Sequence, residues 1–265
     1  MVTRILQYKK PKVKNPVFIE GLPGIGNVGR VAAGYLVEEL KAIKFAELIS
    51  SHFMPLVLTR EDGTVHVLKA EFFYWKARRK NQRDLIIMIG DSQSIDPEGQ
   101  YEISEEILKY LKKLKVREIF TLGGLSVGEE LESPKVIGIA NNSLLIKKYR
   151  KFGIEFDTGT RVGSIIGIAG LLIGLGKYYG MKGVCLLGET MGLPIIPDHK
   201  SAESVLKVLV KILNLKIDLT KLEKRIESMK EFMKKMKEAQ TRALGQLLAS
   251  QIKAPKKEEK LTYIG

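Results

Sequence analysis

Short runs rich in β-branched and other apolar residues recur along the chain, and each ends in glycine before a polar or glycine-rich loop. Such runs are typical of strands covered on both faces, as in parallel sheets. Segments with helical hydrophobic spacing separate them. This alternation predicts an α/β fold, a three-layer αβα domain with a mainly parallel central sheet. The runs are residues 17–21, 85–90, 119–124 and 184–188.

Between and after these runs, apolar residues recur every three or four positions, which predicts helices at residues 29–41, 104–114 and 202–213. A further helix is predicted at residues 162–176, where the glycines at 163, 167, 170 and 174 share one face and allow a neighbouring element to approach closely. This segment has about fifteen residues, fewer than the roughly twenty of a membrane span. We therefore expect a buried helix and no membrane partner.

The pattern changes between the first and second of these units. Residues 45–50 are predicted to form a strand. Residues 56–59 and 64–68 then flank the sequence Glu61-Asp62-Gly63, which is a hairpin signal, and another β-rich run follows at 72–75. We therefore predict an antiparallel hairpin insertion that extends or caps the sheet.

The last part of the chain has a different periodicity. From Leu219 the apolar residues follow a heptad pattern, which predicts a long C-terminal helix that starts at a capping box formed by Thr220 and Glu223. This helix serves either as a projecting arm or as a helix folded back on the core. The seam residues predicted to pack in the oligomer or arm are Leu222, Ile226, Met229, Met233 and Met236.

Beyond Ile252 the sequence is charged and broken by proline, and it then presents several apolar side chains with nothing local to pack on. We predict a flexible docking tail there. The chain is accordingly divided into an α/β globular domain (1–215), a helical arm (216–252) and the tail (253–265).

Charge and cysteine usage narrow the function classes. The net charge of +14 raises the possibility of a nucleic-acid partner, but the lysines of the C-terminal helix alternate with glutamates, as on solvated helices, so nucleic acid is not the expected partner. The single cysteine, Cys185, lies in an apolar run and is predicted to be buried. The three histidines have no metal-ligand spacing, and the N-terminus has no signal pattern, so we expect no metal and a cytoplasmic location.

A glycine turn follows the first strand and opens a helix, the context of a dinucleotide-binding loop. Its residues are Gly24, Gly26, Asn27 and Gly29. The acidic residue expected about twenty positions later is not at the end of the second strand. The turn is therefore either a packing element between helix and strand or a possible ligand loop.

Candidate catalytic residues form no recognisable set. Ser126 lies between glycines without a matching acid and histidine. Polar residues expected at the carboxyl edge of the sheet also suit helix caps and loop hydrogen bonds; they are Asp91, Ser92, Glu189, Thr190 and Asp198. We therefore predict no catalytic residues, no enzyme and no cofactor. A small-ligand or nucleotide-binding enzyme that uses the glycine turn is the alternative.

Four motifs of the chain occur together: the glycine motif at 21–29, the glycine pair at 123–124, the glycine-faced helix, and the Gly-Glu-Thr-Met-Gly sequence at 188–192 with Asp198 after it. Together they resemble the archaeal proteasome-assembly-chaperone family, PbaB-type members especially. The resemblance implies a fold akin to nucleoside phosphorylases and a homo-oligomer, which we expect to be a tetramer. It also implies binding to the α-ring of the core proteasome, as an ATP-independent activator or as an assembly chaperone.

In proteasome activators the docking signal is a hydrophobic residue, a tyrosine and any residue at the C-terminus. Here Tyr263 stands third from the end, so the register is shifted. The resemblance implies proteasome-binding residues at Leu261, Tyr263, Ile264 and Gly265. Either the α-ring pocket accepts the shifted register, or the tail contributes affinity without opening the gate.

Overall fold

The computed structural model describes residues 3–129, 131–156, 161–193, 196–224 and 226–228. The chain divides into a compact unit, Met1–Leu222, and a second unit, Glu223–Gly265. The strands are β1 (Arg4–Gln7), β2 (Val17–Gly21), β3 (Ile43–Ile49), β4 (Val57–Thr59), β5 (Val65–Val67), β6 (Ala70–Trp75), β7 (Leu85–Gly90), β8 (Glu118–Ser126), β9 (Val136–Ala140), β10 (Ile154–Phe156) and β11 (Lys182–Thr190). The helices are α1 (Val28–Leu40), α2 (Pro97–Lys113), α3 (Ser143–Tyr149), α4 (Ile168–Gly176) and α5 (His199–Leu213).

Nine of these strands form one mixed sheet in the order β1-β3-β6-β7-β2-β8-β11-β9-β10. Its centre consists of the parallel strands β7, β2, β8 and β11, which are the four runs predicted from the sequence. Helices α1 and α5 pack together, and so do α2 and α4, which gives a helical layer on each face. The predicted three-layer α/β fold with a mainly parallel centre is confirmed.

The antiparallel part of the fold is larger than predicted. Strands β1, β3 and β6 extend the sheet beyond β7 through antiparallel pairs. Strands β4 and β5 form the predicted hairpin as a separate two-stranded sheet. At the opposite edge the sequence analysis missed β9, which runs antiparallel to β11, and β10, which runs parallel to β9.

An aromatic cluster ties the antiparallel strands to the helical layer of α2. Phe45 and Phe72 are fully buried with their ring centroids 6.3 Å apart, and Phe18 lies 6.4 Å from Phe72. The Tyr110 ring of α2 meets Phe72 edge-on at 5.5 Å. Burial of a side chain of this size stabilises a fold by about 1.5–3 kcal/mol, so the cluster contributes substantially to one continuous core.

Two helices begin elsewhere than predicted. Helix α2 starts at Pro97 rather than at residue 104, because the Asp96 carboxylate accepts the amide hydrogen of Gly99 at 2.7 Å and caps it. Helix α4 starts only at Ile168, after Gly167 with φ of 97°, so the prediction of a helix from residue 162 was wrong. No helix among the described residues is long and apolar enough to cross a membrane. Cys185 is fully buried, as predicted.

The segment after α5 packs against α1. The Tyr35 hydroxyl donates to the carbonyl oxygen of Asp218 at 2.7 Å, and Lys221 pairs with Glu39 at 3.1 Å. Leu222, which was predicted to lie on the arm seam, is fully buried in the compact unit. The Asp218 carboxylate, not predicted as a cap, accepts the amide and hydroxyl hydrogens of Thr220 at 2.9 and 2.6 Å.

Ile226 is described and partly exposed. The other predicted seam residues, Met229, Met233 and Met236, and the whole predicted tail, 253–265, lie outside the described residues. The predicted division at residues 215 and 252 stays a prediction.

Candidate functional site

The protein itself fills the space around the glycine turn between β2 and α1. Gly26 has φ of 58° and ψ of 11°, a left-handed conformation that favours glycine, and its carbonyl oxygen accepts the Asp198 amide hydrogen at 2.8 Å. A Cβ at Gly26 would lie 2.7 Å from the Thr190 hydroxyl oxygen, and a Cβ at Gly29 would overlap the carbonyl oxygen of Leu122. Residues of β11 and β8 thus contact this turn closely. In dinucleotide-binding folds the equivalent turn binds a pyrophosphate.

The other two residues of the turn fit the same interpretation. Asn27 is left-handed with φ of 52°, and its amide donates to the carbonyl oxygen of Gly24 at 2.9 Å. The Asn27 side chain does not cap α1, and Gly24 is exposed. Gly26, Asn27 and Gly29 therefore form a tight connection between β2 and α1, and the close contacts at Gly26 and Gly29 favour packing over ligand binding.

The polar residues predicted at the carboxyl edge are held in structural hydrogen bonds. The Thr190 hydroxyl donates to Asp198 Oδ2 at 2.7 Å, while Asp198 Oδ1 accepts the Ser201 amide hydrogen at 2.8 Å and caps α5. Glu189 accepts the Lys135 amide hydrogen at 3.0 Å. The Ser92 hydroxyl donates to the carbonyl oxygen of Gln93 at 2.8 Å. The Ser126 hydroxyl, from the glycine-flanked serine of β8, donates to the carbonyl oxygen of Met191 at 3.5 Å.

Two histidines hold the hairpin region by pairing with carboxylates. His66 Nε2 lies 2.7 Å from Asp91 Oδ2, which connects β5 to the end of β7. His52 lies between Asp96 at 3.0 Å and Glu102 at 3.3 Å. The hydrogen bond with Asp96, more than any other contact, raises the pKa of His52 above its ordinary value. Among the described residues, no group of three or more side chains has the arrangement of a metal site.

The hairpin carries an apolar surface that the sequence analysis missed. We define the hairpin surface as seven side chains that are 39–67% exposed: Met54, Leu56, Val57, Leu58, Val65, Val67 and Ile95. Val57 and Val67 are directly paired across the two strands. The alternation of apolar and polar residues predicted strands here but gave no sign of what covers them. Isolated two-stranded hairpins are marginally stable, and exposed apolar patches mark interaction sites.

The PAC2 family matches residues 18–237 of the chain, which is well over half of its length. The chain belongs to the PAC2 family. Pyrococcus furiosus PbaB, an archaeal proteasome activator, has a similar structure with a TM-score of 0.84 and 42% identity, over 89% of this chain and 99% of that one. P. furiosus PbaA, an archaeal homolog of proteasome-assembly chaperone, matches with a TM-score of 0.74 and 29% identity, over 94% and 98%.

A further relative of this PAC2 chain is the uncharacterized protein MJ1210 of Methanocaldococcus jannaschii. It is 39% identical over 265 residues, which cover 100% of this chain and 98% of that protein. The resemblance to PbaB-type proteasome-assembly chaperones is therefore confirmed at the level of family and fold. The predicted docking residues, Leu261, Tyr263, Ile264 and Gly265, lie beyond the matched range and outside the described residues.

Proposed function

We propose that this chain binds the α-ring of the core proteasome through its C-terminal segment, as an ATP-independent activator or an assembly chaperone. The observation that carries the proposal is the similarity to the proteasome activator PbaB, at 42% identity over 99% of that chain. The proposed contacts are Leu261, Tyr263, Ile264 and Gly265. The protein acts in the cytoplasm and without catalytic residues of its own.

The geometry of the glycine turn supports a binding role over the alternative of a nucleotide-binding enzyme. That alternative requires the turn to admit a phosphate group. The carbonyl oxygen of Leu122 packs against Gly29 and would repel an anion. The Thr190 hydroxyl packs against Gly26 and already donates its hydrogen to Asp198. The alternative predicts that Gly26→Val abolishes a nucleotide-induced thermal shift, whereas our proposal predicts no shift that depends on Gly26.

We also propose that the protein is a homo-oligomer, a tetramer in our prediction, and that a second copy covers the hairpin surface. The net charge of +14 makes copies repel one another, so a self-interface is most favourable where charge is low. The hairpin surface supplies apolar side chains, and the adjoining turn mixes Arg60 with Glu61 and Asp62. A symmetric contact can pair opposite charges of this turn between copies.

Charge placed within the hairpin surface tests this assignment. Val65 and Val67 are 62% and 56% exposed, so Val65→Glu combined with Val67→Glu leaves the isolated fold intact but buries two carboxylates in the assembly. We expect the variant to sediment as a monomer in analytical ultracentrifugation. Tyr178, which is 84% exposed and lies just before the amino end of β11, provides the control Tyr178→Glu, and we expect that variant to keep the oligomer. An unchanged oligomer in the double variant would place the self-interface elsewhere.

Proteasome binding is tested by co-sedimentation with latent core proteasome. We expect the full chain to co-sediment and a variant lacking residues 253–265 to remain unbound while keeping its fold and oligomeric state. Peptide hydrolysis in the same mixtures separates the two roles, because an activator stimulates hydrolysis and an assembly chaperone binds without stimulation. Equal co-sedimentation of the shortened variant would rule out the tail as the docking element.

A further inference from the structure

A pocket of about 250 Å³ lies at the amino end of β7 and β8, on the face covered by α5, far along the chain from the proposed docking residues. It is bounded by the loop before β7, the end of α3 with the turn that follows it, and the end of α5. Its lining includes Arg83, Lys148, Lys151, Phe152 and Leu213. None of the predicted site residues contributes to it.

Positive charge exceeds negative charge in this pocket. Arg83 Nη1 and Lys148 Nζ both contact the buried Glu118 carboxylate, Lys148 at 3.1 Å, and Tyr149 donates its hydroxyl hydrogen to the same group. Burial opposes ionisation of Glu118, but these donors outweigh it and hold its pKa below the ordinary value. The carboxylate therefore stays anionic and fixes two of the cations at the rim.

Lys151 adds a third cation that Glu118 does not neutralise. Its Nζ lies 5.4 Å from the centre of the Phe152 ring, and no ion pair among the described residues gives it a carboxylate partner. Three cations set against one carboxylate leave an excess of two positive charges. An anion that enters the pocket meets Arg83 and Lys148 already held in place by Glu118, so little entropy of these two side chains is lost on binding.

The segments on both sides of the pocket strengthen its positive field. Residues 76–84 include five basic residues and one acidic residue, Asp84, which is buried and paired with Lys76 at 2.7 Å. Residues 143–152 include four basic residues and no acidic one. Clustered charge of one sign in a concave site raises the local concentration of counter-ions of the opposite sign.

The floor of the pocket is apolar and aromatic. Phe120 and Tyr149 are buried with their rings 5.5 Å apart, and Phe152, which is partly exposed, lies 6.2 Å from Tyr149. Ligand sites generally combine an apolar lining with a few charged groups that fix orientation. The volume lies below the range typical for drug-sized ligands, so a small ligand with one aromatic ring system and one anionic group fits.

We propose that this pocket binds a nucleoside monophosphate, in which a ribose joins a phosphate monoester to a planar aromatic base. The phosphate contacts the cationic rim, and the ring lies against Phe152. Binding here is independent of the glycine turn and of the proteasome. A basic surface can also hold a polyanion such as RNA, and the test below separates the two.

Isothermal titration of the full chain with adenosine monophosphate, adenosine, inorganic phosphate and a short single-stranded RNA provides the test. We expect the monophosphate to bind more tightly than adenosine or phosphate. Lys151→Gln should weaken its binding about tenfold, the effect of one lost charge-assisted hydrogen bond. Phe152→Leu should weaken the monophosphate and leave phosphate unchanged. Lys112→Gln in α2 removes the same charge from the opposite helical layer and should change binding less than twofold.

Thermal unfolding of each variant confirms that the fold is retained. The proposal is overturned if the monophosphate does not bind at millimolar concentration, or if Lys112→Gln weakens it as much as Lys151→Gln does. RNA binding that depends on Lys151, without monophosphate binding, would assign the surface to a polyanion and overturn the proposal as well. Equal affinities for the monophosphate and for inorganic phosphate would also overturn the proposal, because the aromatic floor would then contribute nothing to binding.

Discussion

The carboxyl group of Glu20, near the end of β2, gives the fold a stability that depends on pH. Glu20 is 1% exposed. Its Oε1 accepts the Leu22 amide hydrogen at 2.8 Å, whereas its Oε2 has no hydrogen-bond partner in the part of the chain that the structure describes. Burial raises the pKa of Glu20 to about 7, and the amides of Leu22 and Leu122 offset only part of that effect.

The magnitude follows from the difference between the folded and unfolded pKa. A rise from 4.5 to about 7 corresponds to about 3 kcal/mol of destabilisation once the group is ionised in both states. The raised pKa means that the folded state binds the proton more tightly than the unfolded state. The contribution of Glu20 to folding is therefore least unfavourable below pH 4.5, worsens as the pH rises from there, and reaches its full cost above pH 7.

Glu20→Gln removes this titration. The new carboxamide oxygen can accept the Leu22 amide hydrogen. The new carboxamide nitrogen has a candidate acceptor in Thr121, which is paired with Glu20 across β2 and β8 and whose buried hydroxyl oxygen has no partner among the described residues. We expect the stability advantage of the variant over the wild type to grow by about 2 to 3 kcal/mol as the pH rises from 5 to 8. Denaturant unfolding followed by fluorescence of the buried Trp75, the single tryptophan, measures the difference.

Glu47→Gln is the control, because the pKa of Glu47 is shifted in the opposite direction to that of Glu20. Although burial opposes ionisation, hydrogen bonds from Lys44, Lys69 and Tyr8 lower the pKa of Glu47 to about 2. Its stabilising contribution is present above pH 4.5 and is lost as the pH falls towards 2, so this variant should be less stable than the wild type at pH 8. A Glu20→Gln effect that stays constant from pH 5 to pH 8 would refute the assignment of a protonated Glu20.

Two further substitutions test the glycine turn and the cap of α5. Gly29→Ala should destabilise the protein by about 1 to 3 kcal/mol in denaturant unfolding, because the new Cβ would overlap the Leu122 carbonyl oxygen. Gly174→Ala is the matched control. A Cβ at Gly174 meets nothing within 4 Å, so this variant should be neutral or stabilising. Asp198→Ala should cost about 1 to 3 kcal/mol, because the Ser201 amide loses its acceptor, and an unaffected unfolding midpoint would contradict the capping role.

The centre of the fold was predictable because it depends on local patterns. Each parallel strand is long and buried on both faces, so its sequence is a continuous β-rich run. Strands β9 and β10 were not predictable, because they are five and three residues long and exist through pairing with β11 and with each other. The first turn of α2 could have been found, since Asp96 followed by Pro97 is a recognisable helix start.

The candidate site was only partly predictable, because a glycine pattern does not reveal what packs against it. The same sequence suits a phosphate-binding turn and a turn filled by its own sheet. The carbonyl oxygen of Leu122 and the hydroxyl of Thr190, both distant along the chain, distinguish the two. Likewise, the spacing of Val65 and Val67 predicts a strand, but their exposure depends on how the hairpin leaves the sheet.

The most direct test of the central claim is the affinity of the chain for the core proteasome, measured with and without the apolar side chains of the tail. Leu261, Tyr263 and Ile264 are replaced together by alanine, and Lys256→Ala and Lys257→Ala together serve as the control. We predict that the triple variant loses at least about tenfold in affinity, equivalent to about 1.4 kcal/mol, while the control retains wild-type binding. Equal affinities of the triple variant and the wild type would contradict the account.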